Sequence, residues 1–117
     1  MILNPRKYAR NMPYYVITTF DDPEMAKKIG REAVEANLAA CVSIIPALTS
    51  IYRWKGSIDE NEEVMCLFKT VDEKVSDLEE FIRKEHTYEV PEIVSMKMDR
   101  ISEDYRAWLV DSCRVEE

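Results

Sequence analysis

The sequence predicts an α+β sandwich with the element order β-α-β-β-α-β and one further C-terminal helix. Three observations lead to it. Apolar spacing alternates between period two and period 3.6 along the 117 residues. Helix-start signals recur at Asp22-Pro23, Asp72 and Ser102. A turn at Lys55-Gly56-Ser57 joins two strand-like runs.

Residues 14–20 are rich in β-branched and aromatic side chains and read as the first strand. Asp22 then serves as an N-cap and Pro23 as the first helical residue. Met25, Ile29, Ala33 and Ala36 step along one helix face to Asn37, a C-terminal stop. Residues 41–52 form a β-type run interrupted by Pro46, which implies a bulge, an edge or a bend. Residues 62–70 return as a strand. Asp72 caps a second helix on which Val75, Leu78 and Ile82 share a face, with Phe81 beside them, and the pattern fades near His86. Residues 93–98 are the last strand. Ser102 caps the final helix, Glu103 and Asp104 suit its dipole, and Tyr105, Trp108, Leu109 and Ser112 share its face.

Two βαβ units split by a hairpin, with right-handed crossovers, make a ferredoxin-like sandwich with two helices on one sheet face. The other face is expected to carry Val42, Ile44 and alternate residues of the third strand. An uncovered apolar sheet face is an oligomer interface by default. The long hairpin is expected to reach past the domain and pair with a neighbour.

Composition narrows the function. The length fits one domain. Residues 1–12 read as an N-terminal extension, expected to be flexible, and residues 13–117 as the domain. Two glycines, Gly30 and Gly56, are too few for a glycine-rich phosphate cradle. The net charge is −7, and the first twelve residues hold Arg6, Lys7 and Arg10 but no acid, so the domain itself is more acidic still. That argues against a nucleic-acid partner, which needs a basic face. No apolar run is long enough for a membrane span. Cys41, Cys66 and Cys113 are an odd, widely spaced set, read as reduced thiols in a cytoplasmic protein.

Few residues carry chemistry. His86 is the only histidine. It follows Glu85 and precedes Tyr88, Glu89 and Glu92. An imidazole with carboxylates takes a divalent cation, but one short segment rarely completes a shell, so another chain must contribute. His86 reads equally as the residue that closes a helix C-terminus and hydrogen-bonds there. As a general base it needs a nucleophile beside it, and Cys41 and Cys66 look like strand core. Glu63 and Lys69 share a face of the third strand but lie about 20 Å apart along it, so they do not pair directly. They are solvated charges or meet partners from elsewhere. Tyr52 and Trp54 are interface packing or a ligand shelf.

These residues together resemble the CutA divalent-cation-tolerance family. The motifs are Leu38-Ala39-Ala40-Cys41-Val42, Pro46, Ser50-Ile51-Tyr52-Arg53-Trp54-Lys55-Gly56, Glu63 and Lys69-Thr70. His86-Thr87-Tyr88-Glu89-Val90-Pro91-Glu92 and Tyr105-Arg106-Ala107-Trp108-Leu109 follow in order, and the match covers residues 14–113. The resemblance implies a tight homotrimer of PII-like architecture, divalent metal binding with copper foremost, and no catalytic reaction. It places His86 and Glu85 as metal contacts, with no metal needed for folding. It places Trp54, Glu63, Lys69 and Tyr88 at an inter-subunit cleft for a cation or small ligand. Lys69 would face an anion, and Glu63 would hold a cation or another chain's Lys69. Some members have two histidines where this chain has Glu85-His86, and a cysteine where it has Thr19. The donors here are therefore harder and less suited to copper. The alternative expectation is a structural or signalling trimeric platform without a physiological metal.

Overall fold

A computed structural model describes residues 12–114. In chain order the elements are β1 (Pro13–Phe20), α1 (Pro23–Glu35), β2 (Cys41–Trp54), β3 (Ser57–Val71), α2 (Asp72–Glu85), β4 (Val94–Lys97) and α3 (Glu103–Ser112). The strands form one sheet in the order β2-β3-β1-β4, with every neighbouring pair antiparallel. This is the interleaved order that two split βαβ units require. The expected extension lies outside the described residues except for Met12, whose carbonyl accepts from the Asp72 N–H at 2.8 Å.

Local chemistry sets the helix ends. The Asp22 carboxylate accepts from the Glu24 N–H at 2.9 Å and caps α1. Asn37, at φ 59°, ends α1 in the left-handed region. Asn37 N–H then bonds Val34 O and Leu38 N–H bonds Ala33 O, the paired closure that satisfies the last helical carbonyls. Asp72 is not the cap of α2: the chain enters from the extended residue Val71, and Asp72 is the first helical residue. Ser102 does hold the cap position of α3, but without a side-chain cap bond.

The main core joins Val16, Phe20, Val64, Cys66 and Phe68 of the sheet to Ala26, Ile29 and Ala33 of α1 and Leu78 and Ile82 of α2. Val42 and Ile44 pack against this core. Their expected place on the uncovered face is therefore wrong. The register puts Val42 opposite Phe68 and Ile44 opposite Cys66, and Gly30, which has no side chain, lets Val42 sit against α1. The opposite face carries Ile17, Ile45, Met65, Leu67, Val94 and Met96, as strand alternation from the pairing register requires. Of these, Ile45, Val94 and Met96 are exposed. One end of that face is covered by α3 through a second cluster of Ala40, Val71, Met98, Leu109 and Cys113, with Tyr15 beside it. Only Leu109 of the expected α3 face is fully buried; Tyr105 and Trp108 are exposed.

β2 and β3 pair from Cys41↔Lys69 out to Trp54↔Ser57, interrupted by a bulge between Ile45 and Leu48. Lys55 (φ 49°) and Gly56 (φ 83°) form the two-residue turn, both in the left-handed region that such hairpins need. β1 ends opposite Val64, so the outer hairpin is a two-stranded arm with no third strand. The described residues accordingly extend 59 × 25 × 23 Å.

Gly30→Ala tests the α1–β2 contact. A Cβ there would stand 2.7 Å from Val42 Cγ1, a branched side chain fixed in the core. Overpacking costs about 1–3 kcal/mol, against about 1 kcal/mol gained in helix propensity. The variant is expected to unfold at lower urea concentration than wild type at equal protein concentration; an unchanged midpoint would remove this reading of Gly30.

Candidate functional site

At the root of the arm, the end of β1, the ribbon of β2 and β3, and residues 88–92 enclose a cavity of about 670 Å³. That is within the range of small-molecule sites. The walls form because cross-strand pairs share a face. Leu48↔Glu63, Ser50↔Asn61, Tyr52↔Asp59 and Trp54↔Ser57 lie on one side of the ribbon. Tyr52, Trp54 and Tyr88 give the cavity aromatic walls, and Asn61 donates to the Tyr52 hydroxyl and orients it. Asp21, Glu62, Glu63, Glu89 and Glu92 also line it, and among the described residues no lysine or arginine does.

Glu63 is the buried member, at 8% exposure. Its Oε2 accepts from the Tyr88 hydroxyl at 2.6 Å. Burial and then this bond to a carboxylate push the Tyr88 phenol well above its ordinary range, so it stays a donor. No cation pairs with Glu63 among the described residues.

His86 holds this assembly together from behind. The helix ends there, with His86 N–H on Ile82 O at 2.9 Å. The ring stacks on Phe20 at 4.3 Å between centroids and 12° between planes. Its Nδ1 accepts from the Tyr88 N–H at 3.1 Å, and its Nε2 lies 2.7 Å from Thr19 O. An acceptor at Nδ1 and a carbonyl at Nε2 require the neutral tautomer with the proton on Nε2. Burial lowers the His86 pKa, while the Thr19 bond and the charges of Asp21 and Glu63 act the other way. His86 thus ties α2 to β1 and positions Tyr88 for Glu63.

The structure brings Trp54, Glu63 and Tyr88 of the expected residues to one cavity. His86 lies behind that cavity wall, not in its lining, and Glu85 is exposed at the end of α2. Lys69 is elsewhere: its Nζ donates to Ser43 Oγ at 2.6 Å, six residues along β3 from Glu63. Among the described residues no three His, Cys, Asp or Glu side chains stand close enough to hold a metal ion. Both His86 ring nitrogens are engaged. The described donors of one chain therefore do not fit a closed metal site. Sequence reasoning missed Asp21, Asn61 and Glu62. Asn61 was recoverable from strand alternation, since it shares a face of β3 with Glu63. Asp21 had no signal, because its place depends on where β1 ends against β3.

The cysteines stay apart from the site. Cys66 is buried and its thiol is pushed up to about 11, and burial also raises Cys113. Cys41 is only half-buried, with its Sγ 3.7 Å from the Tyr105 hydroxyl, so the expected core placement holds for Cys66 but not for Cys41.

Protonating His86 would remove the acceptor for the Tyr88 N–H. Its folded pKa lies below the ordinary 6.5. The unfolded chain therefore takes up this proton first, and the His86 contribution to stability is complete above about pH 6.5 and lost as pH falls through the folded value. NMR of the imidazole nitrogens is expected to show the Nε2–H tautomer at pH 7.5 and a midpoint below 6.5; a midpoint above 6.5 would contradict this wiring.

Comparison with known proteins gives a consistent result. The family model described as CutA1 divalent ion tolerance protein matches residues 14–112. A protein from Xenopus laevis named Protein CutA homolog is 44% identical over 80% of this chain, which spans 62% of that protein's length. The divalent-cation tolerance protein CutA of Thermus thermophilus is 41% identical over 84% of this chain and 95% of its own. A solved structure of the divalent cation tolerance protein from Thermus thermophilus superposes with a TM-score of 0.83 at 40% identity, covering 86% of this chain and 98% of that one. Sequence, fold and motifs agree, and the chain belongs to the CutA1 divalent ion tolerance protein family.

Proposed function

We propose that this protein is a non-enzymatic, cytoplasmic homotrimer that binds a cation in acidic clefts where subunits meet. The observation that carries the cation reading is Glu63: a carboxylate at 8% exposure, facing a cavity lined, among the described residues, by four further acids and no base. A buried carboxylate without a cation partner is costly, and a bound cation removes that cost. The family name supports a divalent metal as that cation. Copper rests on the resemblance alone, and the hard carboxylate donors here favour it less. Since the described residues of one chain hold no complete donor set, a metal shell would draw on groups from a second copy.

The assembly reading rests on two surfaces. The apolar strip of Ile45, Val94 and Met96 is exposed on the uncovered sheet face, and Ile51 and Ile58 are exposed at 66% and 59% on the arm. An arm of this length projects far enough to lie against a neighbour and could bring another chain's Lys69 towards Glu63. PII-like packing is the arrangement the resemblance implies. Three free cysteines fit a reducing compartment. Among the described residues no helix is long and apolar enough to cross a membrane.

Light scattering on the eluting protein is expected to give three times the 13.7 kDa chain mass. Zinc(II) and copper(II) titrations followed on the His86 and Tyr88 resonances are expected to saturate below about millimolar metal. A monomer mass overturns the assembly. A trimer without a metal response leaves the alternative, a structural or signalling platform.

A further inference from the structure

We propose that the cleft ligand is an extended organic polycation, an aliphatic amine with two or more ammonium groups, and not only a point metal ion. The proposal rests on the reading of the cleft as a cation site and names the class of cation. Three observations separate the two chemistries. The carboxylates are spread over the end of β1, the ribbon and the loop at residues 89–92, and no three converge as metal ligands among the described residues. A metal ion needs convergence, whereas a chain of ammonium groups spaced by methylenes needs separated carboxylates. The lining also includes Tyr52, Trp54 and Tyr88 with Ile51 and Val90, side chains that suit alkyl spacers and, for the aromatic rings, ammonium groups. The volume of about 670 Å³ holds a small organic molecule and is far larger than an ion requires.

Two further details point to an ammonium group. Lys55 Nζ already stands 5.6 Å from the Trp54 ring centroid, so the chain's own ammonium occupies this type of contact beside the cavity. Glu63 is nine-tenths buried, its Oε2 is committed to Tyr88, and its Oε1 has no hydrogen-bond partner among the described residues. A donor arriving through the cavity would complete it. Glu63 would anchor one ammonium, Glu89 and Asp21 the next, and Trp54 would cover the chain between.

The test is calorimetric titration of the full-length protein with spermidine at about 50 mM salt, where screening is weak. Saturable binding is expected. Glu63→Gln is expected to weaken it about tenfold or more, the usual effect of losing a charged hydrogen bond. Glu24→Gln, on α1 and away from the cavity, should leave it unchanged. Should Glu63→Gln fail to assemble, the pair Asp21→Asn and Glu89→Gln carries the same expectation from exposed positions. Equal weakening by Glu24→Gln would show bulk electrostatics and overturn the proposal. Saturation by zinc(II) or copper(II) with none by spermidine would also overturn it and leave the metal reading standing. Silence with all three would remove the cation site itself.

Discussion

The pairing of β2 with β3 is the constraint on which the rest depends. It runs from Cys41↔Lys69 to Trp54↔Ser57 and forms both the centre of the sheet and the arm. Within the sheet, β3 lies between β2 and β1, so its inner residues Val64, Cys66 and Phe68 are buried from both sides. Beyond Val64 the same two strands continue without a third, and the ribbon's side chains become cavity wall. The β2–β3 pairing, resumed beyond the bulge at Leu48↔Glu63, therefore ties the arm and the site to the core. Loops alone would place Tyr52 and Trp54 far less firmly.

His86 supplies the second link. As a neutral ring it accepts from one segment, donates to another and stacks on the core residue Phe20. The residues that shape the cavity, Thr19 and Tyr88, are its two hydrogen-bond partners. Thr19 and His86 thus meet in space. Within the described chain that corner ties α2 to β1.

Element order, both long strands, the Asp22 cap and the stop at Asn37 were legible in the sequence, because each is a local signal. So was the uncovered sheet face, though not which residues occupy it. Val42 and Ile44 sit on the helix side because they pair with Phe68 and Cys66, and Gly30 leaves space for Val42 there; a glycine in an amphipathic helix does not announce its partner. Trp54, Glu63 and Tyr88 were placed together by resemblance, and the geometry joins them within one chain. Lys69 and Glu85 were grouped with them, but the cavity of the single chain holds neither. Asp21 was invisible, because its position depends on where β1 stops against β3, a tertiary fact with no sequence marker.

The bulge at Pro46 and Ala47 has a consequence of parity. Three residues advance on β2, from Ile45 to Leu48, while two advance on β3, from Met65 to Glu63. That single added residue reverses which side of the sheet the even-numbered positions of β2 occupy. Inside the domain Val42 and Ile44 face the helices; on the arm Ser50, Tyr52 and Trp54 face the cavity. Without it the same sequence would turn its two large aromatic rings to the opposite side and leave the core untouched. Core and arm therefore read one strand in two independent frames, and a one-residue insertion or deletion there would rewrite the site while preserving the fold.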